Sequence, residues 1–348
     1  MINTMKINLG SLPPIEFTLD DFVYFNGGNR KVKKAIQTAF KLLSEETTLQ
    51  LYEREYYEEN DFSVYFNDKK ITKRNVKLIY LDNFYSLLNE LSFKAKTLLN
   101  HEVLSLKDNF DINLQMEQIN DSLIRLDSII GDNLSLVSEK LVSTVDYLTF
   151  DEILKKKLNI NILLDNNQIP LSVADPSYLL DLTLTLIERY TEKTGEQCMV
   201  VIDGLSNLVV PSIFENFIDK LSALSHSKKL IHFFLFNCQT IPANLLLESE
   251  KIILMFQDII QLPPLDILRS SITRHYPGEF TLNDNELLEA IMRISPSIGN
   301  NYILSNSISP KDVILLVVLK DLLGDISRNE TSFQPLSSSE KAFLLNRS

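Results

Sequence analysis

The residues best placed for chemistry in this 348-residue chain lie in an early strand, turn and helix. Phe22 to Phe25 (FVYF) is a short apolar run, Asn26-Gly27-Gly28-Asn29 signals a turn, and Arg30 to Leu43 has helical spacing. The layout is that of a phosphate-binding loop. Such a loop needs G-x-x-x-x-G-K-[ST], so that backbone N–H groups wrap the phosphates while the Lys and the hydroxyl reach phosphate and magnesium. Here two adjacent glycines stand alone and no Gly-Lys-Ser or Gly-Lys-Thr follows. A nucleotide-binding layout is therefore expected without its chemistry. Met199 to Ile202 followed by Asp203 resembles a Walker B strand, in which the carboxylate would hold magnesium. Buried parallel strands often end on an acid, and without a phosphate loop Asp203 has an ordinary structural reading.

Cations offer a different chemistry. On the helix, Val32, Ile36, Ala39, Phe40 and Leu43 fall on one side, and Arg30, Lys33, Lys34, Gln37 and Lys41 on the other. No acid occurs from Asn26 to Ser44, and a second acid-free cluster follows at Lys69, Lys70, Lys73, Arg74 and Lys77. Either could be a solvated surface. Two clusters flanking adjoining strands instead suit a duplex backbone, which positive side chains can track without reading sequence. Arg30, Lys33, Lys34, Lys69, Lys70, Lys73 and Arg74 are the expected phosphate contacts. Lys155 to Lys157 is a lesser candidate, because successive helical residues point in different directions.

Net charge argues against a general nucleic-acid binder: 34 Lys plus Arg against 46 Asp plus Glu leave −12. The acids cluster, with Glu45, Glu46, Glu53, Glu55, Glu58, Glu59 and Asp61 accompanied by Arg54 alone. DNA contact should thus be confined to one surface and should weaken steeply with salt.

Metal and hydrolase chemistry find little support. The four histidines form no H-E-x-x-H pair, Cys198 and Cys238 lack zinc spacing and read as buried thiols, and there is no G-x-S-x-G elbow. Glu139, Asp146, Asp151 and Glu152 could offer oxygen ligands to a hard cation. They follow no EF-hand pattern, and Asp151 could equally complement the dipole of a helix ending at Lys155 to Lys157.

The elements that would position these residues form an α/β sheet. Phe22 to Phe25, Val76 to Leu81, Cys198 to Ile202, Leu230 to Phe236 and Ile252 to Phe256 are continuous apolar runs, as expected of strands covered on both faces. Asp175-Pro176 opens a helix through Leu179, Leu182 and Leu186 to Gly195, and Pro211 to Ser225 spaces Phe214, Phe217, Ile218, Leu221 and Leu224 as another. Between Asn29 and Ile130 there is neither Gly nor Pro. Helical spacing from Asn83 to Leu141 reads as an inserted arm or as helices packed on the sheet. The expected parts are residues 1–82 and 146–278 as two portions of an α/β head, 83–145 as a helical lever, and 279–348 as a helical C-terminal extension. The apolar run Val313 to Leu319 (VILLVVL) reads as core. With no apolar signal core in MINTMKINLG and no apolar stretch near 18 residues, a cytoplasmic location and no membrane are expected.

In its segments INLGSLPPIEF, FVYFNGGNRKVKK, YFNDKKITKRNVKLIYLDNF, DYLTFDEILKKKLNINI, CMVVIDGLSNLV and LIHFFLF, the chain resembles the long form of the Csn-two family, accessory proteins of type II-A CRISPR systems. The resemblance spans roughly residues 5 to 260, and the tail from about Glu279 fits the long form. It implies a P-loop-NTPase-like, mostly parallel sheet lacking a functional Walker A, with a helical lever. It implies a homotetrameric ring that binds linear double-stranded DNA, at its ends, through a basic opening. Calcium would support the assembly, and the ring would assist spacer acquisition beside the Cas integrase and Cas nine. No nucleotide and no enzymatic activity are expected. The segment holding Asp146, Asp151 and Glu152 falls in the region corresponding to the family's calcium site. A metal-dependent NTPase or nuclease using Asp203, and a DNA-independent scaffold, stand as alternatives.

Overall fold

In the computed structural model, residues 3–44, 62–164, 166–238, 248–300, 309–327 and 338–345 are described. The acids from Glu45 to Asp61 lie outside them. The strands are β1 (Thr4–Leu9), β2 (Leu12–Thr18), β3 (Phe22–Asn26), β4 (Phe62–Phe66), β5 (Lys69–Lys70), β6 (Val76–Leu81), β7 (Asn161–Leu164), β8 (Asn167–Pro170), β9 (Gln197–Asp203), β10 (Ile231–Phe236), β11 (Ile252–Met255) and β12 (Ile259–Gln261). The helices are α1 (Arg30–Ser44), α2 (Phe84–Glu90), α3 (Leu98–Leu104), α4 (Phe110–Val137), α5 (Phe150–Lys156), α6 (Pro176–Thr194), α7 (Pro211–Lys228), α8 (Leu265–His275), α9 (Asp284–Ile294), α10 (Pro310–Leu323) and α11 (Ser338–Leu345).

All five expected strands enter one six-stranded sheet, ordered β12-β11-β3-β10-β9-β6. Its first five strands in chain order pair in parallel, and β12 returns antiparallel along β11. Every residue of β3 and of β10 is buried, which explains why these runs are apolar throughout instead of alternating. The pleat still sorts them. Phe25 stacks on Phe236 at 4.6 Å between centroids, and Phe22 on Phe233 at 4.8 Å, on opposite faces.

A second sheet, β2-β1-β4-β5, completes a sandwich around α1. Val32, Ala35, Ile36, Ala39 and Phe40 of that helix share one core with Met5, Ile7 and Val64 on one side and Val201, Phe234 and Phe236 on the other. Two buried flanks leave α1 only a narrow polar strip, and that limits which of its cations reach solvent. On the other side, α7 buries Phe214, Phe217, Ile218 and Leu221 at the predicted spacing.

The chain divides into two compact units, Met1–Asn83 with Gly195–Ser348, and Phe84–Thr194. This division groups residues 146–194 with the helical segment and the C-terminal helices with the sheet. Within the second unit, α6 begins at Pro176, where the Asp175 carboxylate accepts from the Ser177 N–H (2.9 Å), and Gly195 follows it at φ +65°. Leu179 and Leu186 of α6 are buried, whereas Leu182 is exposed. α4 runs 28 residues, about 42 Å at helical rise, and buries none of them within this chain.

Candidate nucleic-acid interface

The two basic clusters belong to the same unit and are built differently. At the first, Asn29 caps α1: its side-chain oxygen accepts from the Val32 N–H at 3.1 Å and its amide group donates to the Phe256 carbonyl. Arg30, Lys31 and Lys34 are exposed and Lys33 is half-buried. The first turn holds no acid, so these cations face the positive end of the helix dipole, at a cost of a few tenths of a kcal/mol each. A helix optimised for stability alone would carry acids there.

The second cluster hangs on a hairpin. Asn67 (φ 48°) and Asp68 (φ 62°) both take left-handed backbone, the requirement of a two-residue hairpin loop, and set Phe66 opposite Lys69 and Tyr65 opposite Lys70. Ile71 is buried. The Asn75 side-chain oxygen then accepts from the Thr72 N–H at 2.7 Å, and the Asn75 side-chain amide group donates to the Lys70 carbonyl at 3.0 Å. That turn places Lys73 and Arg74 outward. Lys69, Lys70, Lys73 and Arg74 are all exposed.

Of the seven proposed phosphate contacts, Lys33 is tied inward by its ammonium: it donates to the Asn237 side-chain oxygen at 2.6 Å. Asn237 in turn donates to Asp203 Oδ1 at 2.6 Å. Asp203 Oδ2 accepts from Gln37 Nε2 and from the Tyr80 hydroxyl, each at 2.7 Å. One turn further along α1, Lys41 pairs with Asp82 at 2.9 Å and lies over the Tyr80 ring. Lys33, Gln37 and Lys41 therefore form an i, i+4, i+8 stripe that fastens α1 to the carboxyl ends of β6 and β9. Burial pulls the Lys33 pKa down, against the raising influence of the Asp203 charge. Beside them burial, reinforced by Asp203, pushes the Cys238 thiol up to about 12, leaving it a poor nucleophile. Asp203 thus meets three protein donors.

At the turn between β3 and α1, the Gly28 N–H donates to the Ile298 carbonyl at 2.6 Å and the Asn29 N–H to the Met255 carbonyl at 3.1 Å. The Gly27 N–H is taken by the Asn26 side chain. Gly27 needs its φ of +118° and its missing Cβ, because a side chain there would enter the Met255 backbone.

The three acids named for calcium are not assembled as ligands. Glu152 closes a capping box with Thr149 and pairs with Lys156 at 3.2 Å, using both oxygens; hydrogen bonds from the Thr149 backbone are the first cause of its lowered pKa. Asp151 lies beside it in the first turn of α5 with one buried oxygen lacking a partner, and Asp146 is exposed. Among the described residues, no group of three or more His, Cys, Asp or Glu could hold a metal ion. The described residues of one chain do not by themselves fit calcium.

Sequence reasoning placed Lys33, Gln37 and Lys41 on the polar face but missed Asn237, the partner of Lys33, and Asp82 and Tyr80, the partners of Lys41. The signal was the stripe's position at the border of the apolar face, where side chains meet the ends of neighbouring strands.

No protein-family profile and no curated protein matches the sequence. Among solved structures, Stu0660 of Streptococcus thermophilus is similar over 99% of this chain and 99% of that chain, with 15% identity and a TM-score of 0.78. The two share a fold over their full length. The SMC head domain from Thermotoga maritima matches 75% of this chain and 99% of that chain at 11% identity, and its TM-score of 0.30 is too low to carry an argument. No described helix is long and apolar enough to cross a membrane.

Proposed function

We propose that this protein is a nonenzymatic, double-stranded DNA-binding factor of the Csn-two type, which assembles as a homotetrameric ring on linear duplex ends and assists CRISPR spacer acquisition. The observation that carries the reading is the outward set Arg30, Lys34, Lys69, Lys70, Lys73 and Arg74, exposed in one unit of a chain whose net charge is −12. Local basic faces turned inward by a ring reconcile that charge with DNA binding, since the outer faces stay acidic and repel nonspecific contact. Cations at a helix N-terminus, which cost stability, are what an anionic backbone would reward. A full-length fold likeness to Stu0660 is compatible with the family resemblance.

In this reading the head is P-loop-like without nucleotide chemistry. The turn amides that would cradle phosphate already bond to Ile298, Met255 and Asn26, and Asp203 accepts from three neutral protein donors. That disfavours the NTPase or nuclease reading. Calcium rests on the family resemblance alone, and no step is derived through it.

The test is binding to linear and covalently closed circular duplexes of equal sequence across a salt series, with and without calcium. Salt-sensitive binding confined to linear DNA is expected. Equal binding to both would remove end-loading, and binding to neither would leave a protein scaffold.

A further inference from the structure

The turn between α9 and α10 does something the DNA reading does not use. Ser295 to Asn300 crosses to the β3–α1 turn: the Asn26 side chain donates to Ser295 Oγ, and the Ile298 carbonyl takes the Gly28 N–H at 2.6 Å. Ile298 is fully buried. The approach needs glycine on both sides. A Cβ on Gly28 would stand 2.6 Å from Ile298 O, and one on Gly299 2.6 Å from Phe256 Cβ.

This crossing is anchored from behind. The Gly299 N–H donates to Asp325 Oδ2 at 2.6 Å, Lys320 Nζ donates to the Asn300 carbonyl at 3.0 Å and to Ser327 Oγ at 2.7 Å, and Ser327 bonds back to Asp325. Lys320 and Asp325 are 4% and 8% exposed, 3.7 Å apart. Burying two opposite charges to hold a turn is costly unless both are well hydrogen-bonded, as these are. The outlay goes into fixing three residues of backbone against the first turn of α1.

We propose that Ser295–Asn300 is a strap that closes the β3–α1 turn, occupying with the Ile298 carbonyl the place where the turn amides would otherwise take an anion. Through it the C-terminal helices set the position of Arg30 and Lys34. The first part stands on the contacts above; the second rests on the DNA-binding reading.

Two full-length variants test it. Gly28→Ala drives a methyl into Ile298 O, and Asp325→Asn loosens the anchor without touching the β3–α1 turn. Hydrogen exchange should speed up by about tenfold or more at both Gly28–Lys33 and Ile298–Asn300 in each variant, with protection over Gln197–Asp203 kept. Faster exchange on only the mutated side would overturn the strap, as would no change. If Gly28→Ala fails to fold, Asp325→Asn decides alone. Linear duplex binding should weaken by about fivefold in the opened variants, at an unchanged salt slope because no phosphate contact is removed. Unchanged affinity would overturn the coupling. Absence of DNA binding by the unmodified protein would remove the DNA reading and the coupling with it, while exchange still judges the strap.

Discussion

Lys33 and Lys41 of α1 and the run from Lys69 to Arg74 carry the same charge in the sequence and end in opposite environments. Lys33 and Lys41 are drawn onto Asn237 and Asp82 at the carboxyl ends of the sheet, with Gln37 between them on Asp203. Lys69 to Arg74 stand on an edge hairpin whose own turns consume the polar backbone and leave the cations exposed. A helix packed between two sheets has little surface left, so its polar residues are recruited to hold it. An edge strand with one neighbour leaves its cations on the surface. Cationic composition alone does not distinguish an anchor from an exposed cation; the number of covered flanks does.

The comparison breaks most visibly if the hairpin is reversed in charge. Lys69→Glu, Lys70→Glu, Lys73→Glu and Arg74→Glu together should lower linear duplex affinity by about a hundredfold or more and cut the salt slope by roughly 0.9 per lost contact, while thermal stability is nearly kept. Fluorescence anisotropy at several salt concentrations reads both. A loss of affinity with an unaltered slope would count against phosphate contact.

Asp203→Ala acts on the other region. It strands Gln37, Tyr80 and Asn237 together, and should cost about 2–4 kcal/mol in urea unfolding. A variant as stable as the original would show that α1 is held by its apolar faces alone.

Smaller effects separate neighbours on the same helix. Lys34→Glu should weaken DNA binding by roughly five- to tenfold with stability unchanged within about 0.5 kcal/mol. Lys33→Met should instead alter the alkaline stability profile. Because burial lowers the Lys33 pKa, the unfolded chain holds more protons between that lowered value and 10.5, so stability from this group rises with pH across the window. Lys33→Met should remove that rise, as read by denaturation between pH 8 and 10.5.

The smallest expected effect lies at the amino-terminal end of β10, away from the Asp203 cluster. His232 is buried with Nδ1 at 2.8 Å from the Asp20 carbonyl, and burial lowers its pKa from 6.5. Below 6.5 the unfolded chain gains a proton that the folded one resists, so stability should fall as pH drops from 6.5 toward the lowered value. His232→Asn should flatten that fall.

The continuous apolar runs by themselves determined the covered strands of the main sheet, because burial on both faces admits almost nothing else. The helices at Pro176 and Pro211 were equally legible from their caps and spacing. The extra sheet β2-β1-β4-β5 was not, since β1 and β2 are buried on one face only, alternate apolar with polar residues, and β2 carries Pro13 and Pro14. Nor did Val313 to Leu319 reveal that the helix carrying it holds Lys320 in its last turn, anchoring a strap to Gly28. Contacts such as Lys33 to Asn237 and Ile298 to Gly28 join residues more than two hundred positions apart. Local propensity acts over a few residues and carries no trace of such a partner. Tertiary structure therefore decided which cations serve as anchors and which stay exposed, because only the packing of α1 between two sheets determines how much of the helix is left for solvent.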